Sequence, residues 1–338
     1  MERVTIRDVA KKAGVSITTV SKALNDYTDV NPDTRKHIQE IARQMNYVPN
    51  AAGRCMGGRV DKVIGLLIND LRPMDPSGAV YGVLSGVCHA CQDNNIEFIL
   101  VTTDSVQQTQ RPLKVLCLKK QLTGLVCIGF RLHDPYLQQL DEIDIPCAFI
   151  DIRTSSPDVL NITMDNERAA YEAVSFLIKN GRRNIALVNG SSEADVALLR
   201  GSGYRRALTE AGLVLRPDRM LMADFDSSLA YAKVKELLER DGAVDALFCA
   251  SDVMALGACK AIEELGLTVG DQVAVVGFDD IPEARYLYGG LTTVRQDFYL
   301  TGYMAGKAIY EKIEGKADVH VDNMMYELVI RGSAKGKL

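Results

Sequence analysis

No apolar run in this chain approaches the ~18 residues needed to span a bilayer. The opening Met1-Glu-Arg-Val-Thr-Ile-Arg-Asp8 also lacks the apolar centre of a signal peptide. Membrane residence and export are therefore not expected, and a cytoplasmic protein is. Of eight cysteines only Cys88 and Cys91 stand close together, with no second pair at zinc-site distance, and the histidines at 37, 89, 133 and 320 are scattered. Disulfide frameworks belong mainly to short secreted chains, so the cysteines read as small buried hydrophobes. No metal or other cofactor is expected. Catalytic signatures are missing as well: there is no P-loop and no Gly-x-Ser-x-Gly elbow. Gly201-Ser-Gly203-Tyr-Arg-Arg206 lacks the last glycine of a dinucleotide fingerprint and lies in a helical stretch. An enzyme is not expected. Repeats of about 20–50 residues and low-complexity tracts are absent too.

What is present is an ordinary globular composition, 47% apolar and 25% charged over 338 residues, enough for about two domains. The net charge of −5 is unevenly divided. Residues 1–60 hold ten Lys/Arg against six Asp/Glu, whereas the remainder holds 29 against 38. An acidic chain with a basic head points to one module that meets a polyanion and another that does not.

Three short helices can be read in that head. Thr5 with Asp8 three residues on has the form of a capping box opening a helix over Ile6–Ala13. Gly14-Val15 makes a tight turn, and Ser16 caps a second helix over Ile17–Leu24. Asn31 followed by Pro32 opens a third, whose apolar stripe is Ile38, Ile41, Ala42 and Met45. Val9, Ala10, Val15, Val20 and Leu24 would close a small core on that stripe. Helix, glycine turn, helix is the helix-turn-helix pattern, and its second helix presents Ile17, Thr18, Ser21 and Lys22 outward. On spacing alone, a generic helix pair would look the same.

The run Val4-Thr-Ile-Arg-Asp-Val-Ala-Lys-Lys-Ala-Gly-Val-Ser-Ile-Thr-Thr-Val-Ser-Lys-Ala-Leu-Asn25 closely resembles the headpiece of the LacI/GalR family of bacterial transcriptional regulators. Asn46-Tyr-Val-Pro-Asn-Ala-Ala51 looks like that family's junction into its hinge helix. The resemblance implies that Ile17, Thr18 and Lys22 read base edges in the major groove. It implies phosphate contacts for Thr5, Ser16, Thr19, Ser21, Asn25, Asn31 and Thr34, with Thr5, Ser16 and Asn31 also capping. It further places Tyr47, Asn50 and Met56 on DNA, Met56 where the family usually has a leucine wedge for the minor groove. Gly53 stands where alanine is usual, which makes this hinge helix harder to form by about 1 kcal/mol.

From Val63 onward, short β-branched runs alternate with helical patterns. Strands are expected over Val63–Ile68, Glu97–Val101, Leu125–Ile128, Cys147–Ile150, Ile185–Val188, Ala246–Ala250 and Val273–Gly277. Helical stretches between them include Glu167–Lys179, Ser227–Arg240 and Val253–Leu265. This is the α/β pattern of parallel sheets with helices on both faces. Ligands bind outside the carboxyl ends of such strands. The polar residues there are Asn69, Asp70, Asp151, Ser251, Asp252, Asp279 and Asp280, although acids at strand ends can equally cap helices, the reading favoured for Asp252.

The resemblance continues through Ala211-Gly-Leu, Ala250-Ser-Asp-Val-Met-Ala-Leu-Gly257, Val276-Gly-Phe-Asp-Asp280 and Leu291-Thr-Thr-Val-Arg-Gln296. It implies an all-α headpiece over 1–48, a hinge over 49–61, and a periplasmic-binding-protein-like core over 62–338. The chain would cross between core subdomains near 161, 290 and 323. One subdomain is then 62–161 plus 290–323, and the other 162–289 plus 324–338. Carried over by position, Asp151, Arg200, Phe225, Ser251, Asp279 and Gln296 would bind an effector, with Pro73, Asp75, Pro76 and Ala79 lining the first subdomain's side. Serine at 251 departs from the family's frequent asparagine, and 69–78 lacks the usual aromatic wall.

The implied protein is a homodimeric repressor on a near-palindromic operator, answering to a small-molecule effector expected to be a carbohydrate. A catabolite-control type answering to a phosphorylated carrier protein, or a corepressor-dependent repressor, is the alternative. No leucine-heptad tail follows Val329-Ile-Arg-Gly-Ser333, so a dimer is expected over a tetramer. A transporter's solute-binding module would share the core but would have no use for residues 1–60.

Overall fold

A computed structural model describes residues 4–24, 27, 29–45, 47, 62–71, 77–154 and 156–334. The chain divides into two compact units, Met1–Lys62 and Val63–Leu338. Asn25, Asn50, Met56 and the expected hinge over 49–61 lie outside the described residues, as do Pro73, Asp75 and Pro76.

In the first unit, local caps set the helix bounds. Helix α1 is Ile6–Ala13, α2 is Ile17–Leu24 and α3 is Pro32–Gln44. The Asp8 carboxylate accepts from the Thr5 N–H at 2.8 Å and from its hydroxyl at 2.6 Å. Ser16 Oγ accepts from the Thr19 N–H at 3.0 Å, and Asn31 Oδ1 from the Asp33 N–H at 2.9 Å. Each satisfies a group that the helix end leaves without an intrahelical partner. The turn between α1 and α2 passes through Gly14 at φ +66°. Val9, Val20, Ala23 and Ile38 are wholly buried and close the core together with Ala10, Val30, Ile41 and Ala42. Val15, Leu24 and Met45 pack at its edge, half-buried, where the sequence pattern placed them inside.

The second unit holds two sheets. The first comprises β1 (Val63–Asn69), β2 (Glu97–Thr103), β3 (Gly124–Ile128), β4 (Cys147–Ile150) and β5 (Val159–Ile162). Its order is β2-β1-β3-β4-β5, and every pairing is parallel. Strand β1 is buried at every position, as a strand covered on both faces must be. The second sheet comprises β6 (Ile185–Asn189), β7 (Met220–Met222), β8 (Ala246–Cys249), β9 (Ala274–Asp279), β10 (Thr292–Gln296) and β11 (Tyr326–Val329). Its order is β11-β10-β9-β8-β6-β7, parallel except for the antiparallel edge strand β11.

Strands β5, β7, β10 and β11 are additional to those read from the sequence. Each has only three to five residues and none is buried along its whole length, so none shows the continuous apolar run of four or more that marks β4 and β8. Strand β10 also moves a boundary. Thr292 and Thr293 are wholly buried beside β9, so the crossing expected near 290 falls at Asp297 instead. There Asp297 caps the next helix, Phe298–Ile313, whose Ala305 and Ile309 pack under the first sheet. That helix crosses Ala79–Asp93 at glycines: a methyl on Gly86 would lie 2.1 Å from the Tyr299 carbonyl oxygen. The remaining helices include α-helical Asn166–Lys179, Asp195–Glu210, Ser227–Arg240 and Asp252–Glu264, all packed on the second sheet. No helix among the described residues is long and apolar enough to cross a membrane.

Candidate functional site

The carboxyl ends of both sheets face one cleft of about 600 Å³. Asp151, Arg200, Phe225, Ser251, Asp279 and Gln296 all line it, and so does Ala79. These residues come from the ends of β4, β8, β9 and β10, from the loop after β7, and from helices Ala79–Asp93 and Asp195–Glu210. The described residues thus bring together all seven candidates that fall among them.

Arg200 is buried at its centre. Its Nε donates to Asn166 Oδ1 at 2.9 Å and one terminal nitrogen donates to the Ala250 carbonyl at 2.6 Å. That nitrogen lies 3.9 Å from Asp279 Oδ1, and the guanidinium sits 3.7 Å over the centre of the Phe278 ring. Burial pushes the guanidinium's pKa down, while Asp279, Asp151 and Asp252 pull it back up. Asp279 in turn accepts from Gln296 Nε2 at 2.6 Å. Asp151 accepts from Thr163 Oγ1 at 3.0 Å. Burial raises its carboxyl, against the opposing pull of Arg200 and Thr163.

Backbone strain gathers at the same place. Asp70, Asp151, Asp224, Phe225, Asp279 and Asp280 all have positive φ, from +52° to +119°. Aspartate tolerates the left-handed region, but phenylalanine does so at a cost of order 1–3 kcal/mol. The Phe225 ring lies against Gly190, the residue after β6. A methyl on Gly190 would meet the ring's Cζ at 2.1 Å. The aromatic surface at the cleft thus depends on the absence of a side chain opposite it.

Two expectations are refined here. Ser251 is the N-cap of Asp252–Glu264, its Oγ accepting from the Met254 N–H at 3.3 Å. Asp252 does not cap. Wholly buried, it accepts from the Ile281 N–H at 3.0 Å and from Thr293 Oγ1 at 2.6 Å, tying β9's exit to β10.

Other cleft residues were not singled out from the sequence. Arg131 reaches Asp70 at 2.7 Å, and Asp195 receives both ends of Arg153. An aspartate at the start of a helix reads as an ordinary first-turn acid, so no local signal marked Asp195. Asn166, which holds Arg200, likewise reads as a helix-start residue.

In the first unit, Thr5, Ser16, Ile17, Thr18 and Asn31 are exposed, while Thr19, Ser21, Lys22, Thr34 and Tyr47 are half-buried. Lys22 Nζ is bound to the Asp29 carboxylate, a pairing that no local sequence pattern marks.

Comparison with known proteins matches these two parts separately. Residues 5–50 match the bacterial regulatory proteins of the lacI family, and residues 174–334 match the periplasmic binding protein-like domain. The HTH-type transcriptional repressor PurR of Erwinia tasmaniensis is 32% identical over 318 residues, covering 93% of this chain and 92% of that protein. Catabolite control protein A of Priestia megaterium is 30% identical over 335 residues, covering 98% and 99%. Among solved structures, the lac repressor dimer bound to operator and the anti-inducer ONPF matches with a TM-score of 0.87 at 25% identity, covering 99% of this chain and all of that one. The complex of the transcriptional regulator CelR with cellobiose matches with a TM-score of 0.74 at 28% identity, covering 98% and 100%. With relatives at this identity over nearly its whole length, the chain belongs to the LacI family of bacterial regulatory proteins.

Proposed function

We propose that this chain is a homodimeric, sequence-specific DNA-binding repressor whose operator affinity is set by a carbohydrate held in the cleft. The observation that carries the reading is the convergence of Asp151, Arg200, Asp279 and Gln296 with the Phe225 ring in one cleft. This donor set suits a polyol: carboxylates accept from vicinal hydroxyls, a guanidinium fork donates, and an aromatic face stacks on a sugar's C–H face. The similar structure of the regulator CelR in complex with cellobiose supports the same ligand class. Ser251 and Ala79, with Pro73, Asp75 and Pro76 on the first subdomain's side, would shape its specificity.

On the DNA side, Ile17, Thr18 and Lys22 would read bases. Thr5, Ser16, Thr19, Ser21, Asn25, Asn31 and Thr34 would hold phosphates, and Tyr47, Asn50 and Met56 would engage DNA at the hinge. Two copies would meet a near-palindromic site, and the lac repressor, a similar structure, is a dimer bound to operator. Effector and operator are then linked: whichever state the effector prefers, operator binding shifts its affinity by the same factor.

The test is enrichment of fragmented genomic DNA on the purified chain, then titration of saccharides against the recovered fragment. A near-palindrome whose binding shifts with a saccharide is the expected result. Binding that answers to a phosphorylated carrier protein and to no saccharide would favour the catabolite-control type, to which the Priestia megaterium relative's name points. Binding only in the presence of a small molecule would identify a corepressor. No enrichment under any condition would overturn the reading.

A further inference from the structure

Lys22 lies in the last turn of α2, and its ammonium is bound by Asp29 from the loop before α3. The described residues beside Asp29 are held in place from several sides. Arg35 on α3 donates to the Tyr27 carbonyl at 2.5 Å and to the Val30 carbonyl at 3.5 Å. The Tyr27 N–H donates to the Lys22 carbonyl at 3.1 Å, and Val30 is buried in the core beside Val20. Asp29 is therefore presented to Lys22 from between two held residues, Tyr27 and Val30. Both side chains remain about half exposed, 42% for Lys22 and 55% for Asp29.

A lysine ammonium is a point charge on a flexible stem with three donors. Left alone on a DNA-facing helix, it reaches a phosphate as readily as a base. A carboxylate beside it takes one donor, narrows the directions of the other two, and repels phosphate. An exposed pair of this kind adds little to the stability of the fold, so its consequence lies in what Lys22 can reach. We propose that Asp29 is a specificity-determining residue of the DNA-reading surface: it holds Lys22 toward base edges and denies it to the phosphate backbone. This rests on the DNA-binding reading above.

The test uses the full chain with a random-sequence duplex and, separately, a randomised duplex pool. In Asp29→Asn, Lys22 gains a phosphate. The slope of log affinity against log salt then steepens by about 0.9, and the loss between about 50 and 200 mM salt grows about 3.5-fold. The motif selected from the pool loses preference at one base pair per half-site. Asp29→Glu, which keeps the carboxylate, retains the wild-type slope. On a Lys22→Gln background, Asp29→Asn changes neither readout, because the two residues act as a unit. An unchanged slope and motif in Asp29→Asn would overturn the proposal, and so would the same change on the Lys22→Gln background. Failure of the wild-type chain to bind either DNA would instead overturn the DNA-binding reading itself.

Discussion

Arg153 and Asp195 face each other from the two halves of the core, joined by three hydrogen bonds. Arg153 Nε and its backbone N–H donate to Asp195 Oδ2 at 2.8 and 3.0 Å, and a terminal nitrogen donates to Oδ1 at 2.6 Å. Arg153 follows β4 of the first sheet, whereas Asp195 begins a helix packed on the second. The Leu132 N–H donates to the Glu193 carbonyl at 2.9 Å across the same gap. These contacts clasp the cleft shut on one side.

The pair is asymmetric, and that sets the expected outcome of breaking it. The Asp195 side chain is 4% exposed and that of Arg153 59%. Arg153→Ala strands a buried carboxylate and should cost about 1–3 kcal/mol. Asp195→Asn releases an arginine already largely in water and should cost about 1 kcal/mol or less. Urea unfolding of the two variants measures the order. Burial raises the Asp195 carboxyl, but the Arg153 hydrogen bonds outweigh it and hold the pKa below the usual 3.8. The clasp's stability is therefore present above the unfolded carboxyl's pKa and is lost as pH falls through the folded one. Equal costs for the two variants would show that the buried carboxylate loses nothing extra when it is left without Arg153.

Arg200 is the group on which the cleft carboxylates converge. Arg200→Ala should abolish the response to effector while leaving operator binding, since the helix-turn-helix is a separate unit. It leaves Asp279 and Asp151 without their cation, and the core should lose about 3–5 kcal/mol, the usual cost of breaking a buried pair from one side. A dose response like that of the wild type, measured on operator DNA, would remove Arg200 from the proposed effector site.

Legibility in the sequence followed the range of the interactions. Helices Ile6–Ala13 and Ile17–Leu24 have the same bounds in sequence and structure, because Thr5, Asp8, Gly14 and Ser16 act within a turn or two of where they stand. Strands such as β1 and β4 could be read because burial on both faces demands a continuous apolar run. Strand β10 could not: Thr292 and Thr293 look polar, and their burial depends on β9 and on Asp252, distant in sequence. Asp151, Ser251 and Asp279 were legible because parallel strands end in loops that face the cleft, and family resemblance supplied Arg200, Phe225, Gln296 and Ala79. Arg153–Asp195 and Lys22–Asp29 were not legible, since each pair is made by chain geometry rather than by any local pattern.

Asp252 should make the core's stability depend on pH in the direction opposite to Asp195. Burial, with Asp279 nearby, pushes its carboxyl up to about 8, although Thr293 and Ile281 hydrogen-bond to it. The native state then holds a proton that the unfolded chain releases near the ordinary 3.8. Stability is full below the unfolded value and falls as pH rises toward 8, by at most about 1.4 kcal/mol per pH unit. Asp252→Asn mimics the protonated acid and should flatten that part of the curve. Unfolding midpoints compared at pH 5 and pH 8 decide it: an equal drop in wild type and variant would assign the dependence to other groups.

Gly190 is expected to control the cleft's aromatic wall without touching DNA. A methyl there would meet Phe225 at 2.1 Å, far inside contact distance, so in Gly190→Ala the ring must swing away from β6. Phe225 already holds a left-handed backbone, which leaves little room to adjust at the main chain, and overpacking of this kind costs about 1–3 kcal/mol. The swing carries the ring into the space proposed for the sugar. Gly190→Ala should therefore weaken the effector response more than Phe225→Ala does, because one variant fills the cleft and the other only removes a stacking face. Comparing the two effector dose responses on operator DNA, with urea unfolding run alongside, separates blocking from lost stability. If Phe225→Ala proves the more damaging, the ring's contact with the ligand outweighs its position, and Gly190 is only a packing residue.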